Sequence, residues 1–244
     1  MEWVDEAIIL NVTKFGETSI IANVLTKNHG RYAGLVRGGT GKKFRGIYQP
    51  GNIVKAQWKS RLEEQLGLLF CELSKATAAI FLSERLKLSA LSSACSIIKT
   101  ALPERENHTA IFSGLKVFLS SLETTKSWPL IYIKLEIGIL KELGFGLDLS
   151  SCAATGSTQD LIYLSPKSGR ALSRKAGEPY HKKLLKLPKA LIDPSYTLDH
   201  SEITDAFKIT DHFFRIQGFG GKDQPFPQAR QRFIQTFENS NLED

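Results

Sequence analysis

The stretch Leu35-Val36-Arg37-Gly38-Gly39-Thr40-Gly41-Lys42-Lys43-Phe44-Arg45-Gly46-Ile47-Tyr48-Gln49-Pro50-Gly51-Asn52 organises the reading of this chain. Arg37, Lys42, Lys43 and Arg45 are spaced by Gly38, Gly39, Gly41 and Gly46, with Phe44 and Tyr48 among them. Glycine lets the backbone bend and come close to a ligand. Cations answer phosphates, and aromatic rings offer flat faces to bases. Around this core, the run from Thr18 to Leu62 holds nine Lys or Arg (Lys27, Arg31, Arg37, Lys42, Lys43, Arg45, Lys55, Lys59 and Arg61) and no Asp or Glu. A one-sign run of that length points to a polyanionic partner. The competing reading is a solvated loop kept soluble by its charge.

Outward from the loop, residues 1–75 read as five short strands: Glu6–Thr13, Ser19–Thr26, Arg31–Arg37, Asn52–Lys59 and Leu66–Leu73. Each is rich in Ile, Val, Leu and aromatics. Turn residues divide them, including Asn28-His29-Gly30, which reads as a hairpin turn. Five short strands in this span predict a small closed or nearly closed barrel. The basic loop then joins its third and fourth strands. In the fourth, alternation places Lys55, Lys59 and Arg61 on one face and Trp58 on the other, in the core.

Beyond Lys75 the pattern turns helical. The spacing predicts helices over Ala76–Ala101, Thr109–Leu122, from an N-cap at Ser127 to Gly144, Ser201–Ile216 and Pro227–Phe237. The tail from Glu238 is polar and predicted to fray. Between them, residues 145–177 carry a predicted β-hairpin, Asp160–Ser165 and Arg170–Ser173, around a Pro166-Lys167-Ser168-Gly169 turn. A short basic helix is expected over Glu178–Leu187.

The chain of 244 residues, 42% hydrophobic, suits two or three small domains with real cores. Its net charge of +7 is uneven. A second basic zone from Lys167 to Lys189 (with Arg170, Arg174, Lys175, Lys182, Lys183 and Lys186) carries +7, against the +9 of the first, leaving −9 for the rest. That implies oriented binding faces rather than general stickiness. Three scattered cysteines argue against a disulfide framework and for a reducing compartment. The acidic start is no signal peptide. The most apolar run, Pro129–Leu140, is too short to span a bilayer. A cytoplasmic protein with no membrane partner is expected.

Motifs for covalent chemistry are missing. Gly41-Lys42 fails as a phosphate loop, because Lys43 stands where Ser or Thr is required and Val36 where the first Gly belongs. There is no Gly-x-Ser-x-Gly elbow and no His-Glu-x-x-His. The five histidines are dispersed. Glu63-Glu64 reads as a charged turn. No catalytic residue, cofactor or metal is assigned.

The order of several segments resembles the bacterial RecO family of recombination mediators. Ala7-Ile8-Ile9-Leu10 with Phe15-Gly16-Glu17-Thr18, and Leu25-Thr26 through His29-Gly30-Arg31, look like its opening hairpins. Val36-Arg37-Gly38-Gly39 and Tyr48-Gln49-Pro50-Gly51 look like the loop that follows. Glu142-Leu143-Gly144-Phe145 and Ser165-Pro166-Lys167-Ser168-Gly169 look like the end of its central helix and the hairpin after it. The resemblance implies an α+β multidomain protein: an N-terminal OB-fold barrel (1–75), a helical domain (76–144 and 178–244), and a small zinc-ribbon-like insertion (145–177). It implies a non-enzyme that binds single- and double-stranded DNA and anneals strands. The implied partners are the acidic tail of the single-stranded DNA-binding protein SSB, RecR and, indirectly, RecA; the implied place is the nucleoid. One departure stands out. Where many relatives carry four cysteines in the insertion, this chain has Cys152 followed by Ala153, Ala154 and Thr155, too few ligands for structural zinc.

The expected DNA contacts are therefore Arg31, Arg37, Lys42, Lys43, Phe44, Arg45, Tyr48, Lys55, Lys59 and Arg61. Phe44 leads as a stacking ring, with Tyr48 second. Lys167, Arg170, Arg174, Lys175, Lys182 and Lys183 form the second zone, for DNA or an acidic tail. An adaptor binding acidic partners and an RNA-binding barrel are the alternative readings, since phosphate contacts carry no sugar identity.

Overall fold

The computed structural model describes residues 1–62, 65–193, 195–196, 199–216 and 226–240. The Glu63-Glu64 turn and residues 241–244 of the polar tail lie outside the described residues. Two compact units are formed, one by 1–119 with 227–236, the other by 120–226 with 237–244.

In the first unit, β1 (Glu2–Phe15), β2 (Ser19–Thr26), β3 (Gly30–Val36), β4 (Ile53–Lys59) and β5 (Gly67–Lys75) close a barrel in the order β1-β2-β3-β5-β4. β4 pairs back onto β1, and only β3 and β5 run parallel, at Gly34↔Gly67 and Leu35↔Leu68. This is an OB-fold barrel. β1 is longer than its hydrophobic pattern suggests. It pairs with β4 from Glu2↔Lys59 onward, and a register shift between Ile9 and Asn11 bends it to serve β2 as well.

Alternation fills the interior with Ala7, Ile9, Ala22, Val24, Val54, Ala56, Leu69 and Cys71 around Trp58. Trp58 is 1% exposed and donates its indole N–H to the Ala33 carbonyl at 3.1 Å. Gly67 makes room for that ring: a Cβ there would lie 2.3 Å from Trp58 Cε2. Trp3 stacks on Trp58 at 6.0 Å, and Tyr32 meets Trp58 edge-on at 5.1 Å.

The loop after β3 holds a single helical turn, α1 (Lys42–Arg45). The one helix predicted over 76–101 is two, α2 (Thr77–Ile80) and α3 (Arg85–Ala101). The Asn52 side chain accepts the Ala78 N–H at 3.2 Å and pins α2 to the barrel. Phe81 then leaves the helix to become buried, while Leu82 stays out in solvent. A tertiary anchor outweighs the helical periodicity here. α3 packs on β1, where the Cys95 thiol lies 3.7 Å from the Ile9 carbonyl oxygen. Ile8 and Leu25, outside the interior set, are buried as well. α4 (Thr109–Thr124) contributes Lys116, whose ammonium sits 2.6 Å from Glu6.

In the second unit, α5 (Trp128–Glu142) follows Ser127 with Pro129 in its first turn, though the Ser127 side chain makes no capping bond. α5 packs on α7 (His200–Ile216). Buried Glu136 accepts hydroxyls from Tyr132 at 2.7 Å and Thr210 at 2.5 Å. The predicted hairpin is present as β6 (Leu161–Leu164) and β7 (Ala171–Ser173). The short basic helix expected over 178–187 does not form. Instead α6 (Arg174–Gly177) runs into a 3-10 turn, Glu178–Lys183, and then β8 (Leu185–Lys186), giving a sheet ordered β7-β6-β8. Pairing Leu185 with Leu164 satisfies the free edge of β6 and leads the chain to buried Leu187, which outweighs one more helical turn. The last helix, α8 (Gln228–Asn239), belongs for most of its length to the first unit.

Cys152, within the insertion, is a buried thiol whose sulfur accepts the Ser173 N–H at 3.3 Å. Burial pushes the thiol up, but hydrogen bonds from Thr155, Ser173 and Ala154 outweigh it and bring the pKa down to about 6. Among the described residues no three His, Cys, Asp or Glu converge on a common point, so the donors do not fit a zinc ion. No helix among the described residues is long and apolar enough to cross a membrane.

Candidate nucleic-acid interface

The basic loop is more ordered than its glycines suggest. Phe44 N–H donates to the Gly41 carbonyl at 3.0 Å, and Tyr48 N–H donates to the Phe44 carbonyl at 3.1 Å. One turn is enough to sort the side chains. Phe44 and Ile47 pack against the barrel core, and Lys42, Lys43 and Arg45 are exposed. Arg37 is exposed where β3 ends, and Gly38 takes φ +68° to start the loop.

Tyr48 has a different place from its neighbour. Its ring is 4% exposed within the barrel core, and its hydroxyl accepts the Cys71 N–H at 3.1 Å. Burial pushes the phenol far above its usual value. Such a ring seals the barrel and has no face left for a base. Phe44 is half-buried, 6.2 Å from Tyr48, and keeps one side toward solvent.

On β4, exposed Lys55, Gln57 and Lys59 alternate with buried Val54, Ala56 and Trp58. Lys59 pairs with Glu2 at 3.2 Å, and Glu2 also accepts the Gln57 amide at 2.7 Å. These hydrogen bonds, Gln57 first and Lys59 next, lower the Glu2 carboxyl. Both partners are well exposed, so the pair holds Lys59 only weakly. Arg61 is exposed in the turn that follows. Arg31 is occupied elsewhere. Its Nε donates to the Leu102 carbonyl at 2.8 Å, and its guanidinium pairs with Glu104 at 3.0 Å. That side chain ties β3 to the segment after α3.

The fold thus brings Arg37, Lys42, Lys43, Phe44 and Arg45 together on one loop, beside a strand bearing Lys55 and Lys59. It adds two residues that the sequence reading missed. Leu68 and Phe70 of β5 point outward, 42% and 51% exposed. Phe70 lies across from Gln57, and Leu68 lies between Lys59 and Leu35. Together with Arg37, Phe44 and Lys59 they line a groove of about 260 Å³. Phe44 also lines a second hollow of about 520 Å³, together with Val12, Ile20, Lys14, Glu17 and Arg45. The missed signal was parity: Leu68 and Phe70 share the outward parity of Glu72, which is unusual for a water-facing strand.

The second basic zone is exposed at all six predicted positions. Two are committed to ion pairs, Arg170 with Asp148 at 3.3 Å and Arg174 with Asp160 at 3.0 Å. Among the described residues, Lys167, Lys175, Lys182 and Lys183 carry no ion pair.

Comparison with known proteins agrees with this architecture. Residues 1–75 match the model of the recombination protein O N terminal domain. Residues 82–222 match that of the recombination protein O C terminal domain. The DNA repair protein RecO of Rhodospirillum centenum is 46% identical over 243 residues, covering 99% of this chain and 96% of the relative. RecO of Beijerinckia indica is 42% identical, covering 96% of this chain and 94% of the relative. RecO of Caulobacter vibrioides is 41% identical, covering 94% and 95%. With both family domains matched in order and relatives aligned almost end to end, the chain belongs to the RecO family.

Proposed function

We propose that this protein acts in DNA repair and recombination as a mediator without covalent chemistry of its own. Its barrel, residues 1–75, binds single- and double-stranded DNA and promotes annealing. With RecR it helps load RecA onto strands coated by SSB. The observation that carries this reading is the exposed cluster of Arg37, Lys42, Lys43 and Arg45 on an acid-free stretch of an OB-fold barrel. Phosphate neutralisation there supplies affinity without sequence choice.

Annealing follows when a protein screens two strands from each other and leaves base edges free. The barrel loop holds one strand. Lys167, Lys175, Lys182 and Lys183 supply charge for the second strand or for the acidic tail of SSB. The test is strand annealing by the full chain, followed by energy transfer between complementary labelled oligonucleotides, with and without an SSB coat. Acceleration over the spontaneous rate supports the reading. Failure to accelerate bare strands overturns it.

A further inference from the structure

We propose that Phe70 is a base-stacking platform that makes the barrel prefer unpaired strands to duplex, with the groove beside it as the strand's track. This rests on the DNA-binding reading above and adds to it a face and a discriminating residue. A barrel strand in water ordinarily turns polar side chains outward. β5 instead presents Phe70, half in solvent, with Leu68 before it and Leu35 beside Leu68. The ring is far from the interior set around Trp58 in parity, so it does not build the core.

The chemistry of the surroundings selects the occupant. A nucleotide offers a flat apolar base and an anionic phosphate a few ångströms away. The groove offers an aromatic face and an aliphatic floor, with Arg37 and Lys59 on its rim and the Gln57 amide across from Phe70. Among the described residues, the acids nearby are Glu2, bonded to Lys59 and Gln57, and Glu72, two residues along β5 opposite Lys55. A ring on such a surface reaches only a base that is free to leave its neighbours. Bases inside a duplex are stacked already and offer it their backbone alone.

The experiment measures the affinity of the full chain for a labelled oligothymidylate and for a hairpin duplex, with Phe70→Ala, Phe70→Leu and Phe70→Trp variants. Phe70→Ala and Phe70→Leu should each weaken single-strand binding roughly tenfold, the effect of losing one stacked base. Both should leave duplex binding within about a factor of two. Phe70→Trp should retain wild-type affinity, and its exposed indole should be quenched when the strand is added. Removing bases from the oligonucleotide should cancel the difference between wild type and Phe70→Ala.

Unchanged single-strand binding in Phe70→Ala overturns the inference while leaving DNA binding intact. An equal loss on duplex, or full retention by Phe70→Leu, also overturns it, because either means an apolar contact rather than stacking. Absence of any DNA binding by the wild-type chain at low salt removes the reading beneath it, and the inference with it.

Discussion

Replacing Lys42, Lys43 and Arg45 together with Ala should flatten the salt dependence of DNA binding. Arg37, Lys42, Lys43, Arg45 and Lys55 are exposed and, among the described residues, carry no ion pair. If each neutralises one phosphate of a single strand, log affinity falls against log salt with a slope of about −3.5, from about −0.7 per phosphate. Raising salt from about 50 to about 200 mM then weakens wild-type binding about 130-fold. The triple variant keeps two of the five cations, so its slope is about −1.4 and the same change costs about sevenfold. α1 is a single exposed turn, and its packing residues Phe44 and Ile47 are untouched, so the barrel should remain folded. The assay is fluorescence anisotropy of a labelled oligonucleotide titrated at four salt concentrations, with circular dichroism to confirm folding. A variant slope equal to the wild-type slope refutes the placement of DNA on this loop and moves it to the zone around Lys175. A wild-type slope near zero refutes phosphate neutralisation altogether.

Other substitutions separate building from binding. Gly67→Ala pushes a methyl group against Trp58 and should cost about 1–3 kcal/mol, read from the urea midpoint followed by tryptophan fluorescence. Arg31→Ala strands the Leu102 carbonyl and should cost about 1–3 kcal/mol of stability, with DNA affinity unchanged at temperatures where the variant is folded. A selective loss of affinity would return Arg31 to the DNA contacts. A Lys175→Ala/Lys182→Ala/Lys183→Ala variant should slow annealing while single-strand affinity holds; loss of both together would place the first strand, rather than the second, on the insertion.

Strand alternation and turn residues were enough to read the five barrel strands and the buried place of Trp58, because a period of two leaves a strand little choice of face. The charge run was legible for a similar reason. A stretch without one acid identifies its own electrostatics before any fold is known. The break between α2 and α3 was not legible, since it depends on Asn52 reaching the Ala78 N–H from a loop 26 residues earlier in the chain. β8 was not legible either, because a two-residue strand exists only where β6 offers an edge to pair with.

Within the site, composition chose the cations and the tertiary structure divided their duties. Arg31 and Arg37 read alike in sequence, yet one is locked to Leu102 and Glu104 while the other stands free in solvent. Phe44 and Tyr48 lie one helical turn apart, but Tyr48 is buried in the core, where its hydroxyl accepts the Cys71 N–H, while Phe44 packs against that core only in part. Phe70 escaped notice because an apolar residue in a strand is expected inside. Its outward turn is decided by Leu69 and Cys71 taking the interior beside Trp58 and Ala56. Local patterns determine which segments are strands and where charge accumulates. Which side chains remain free for a ligand depends on partners brought in from distant parts of the chain, and those partners exist only once the barrel has closed.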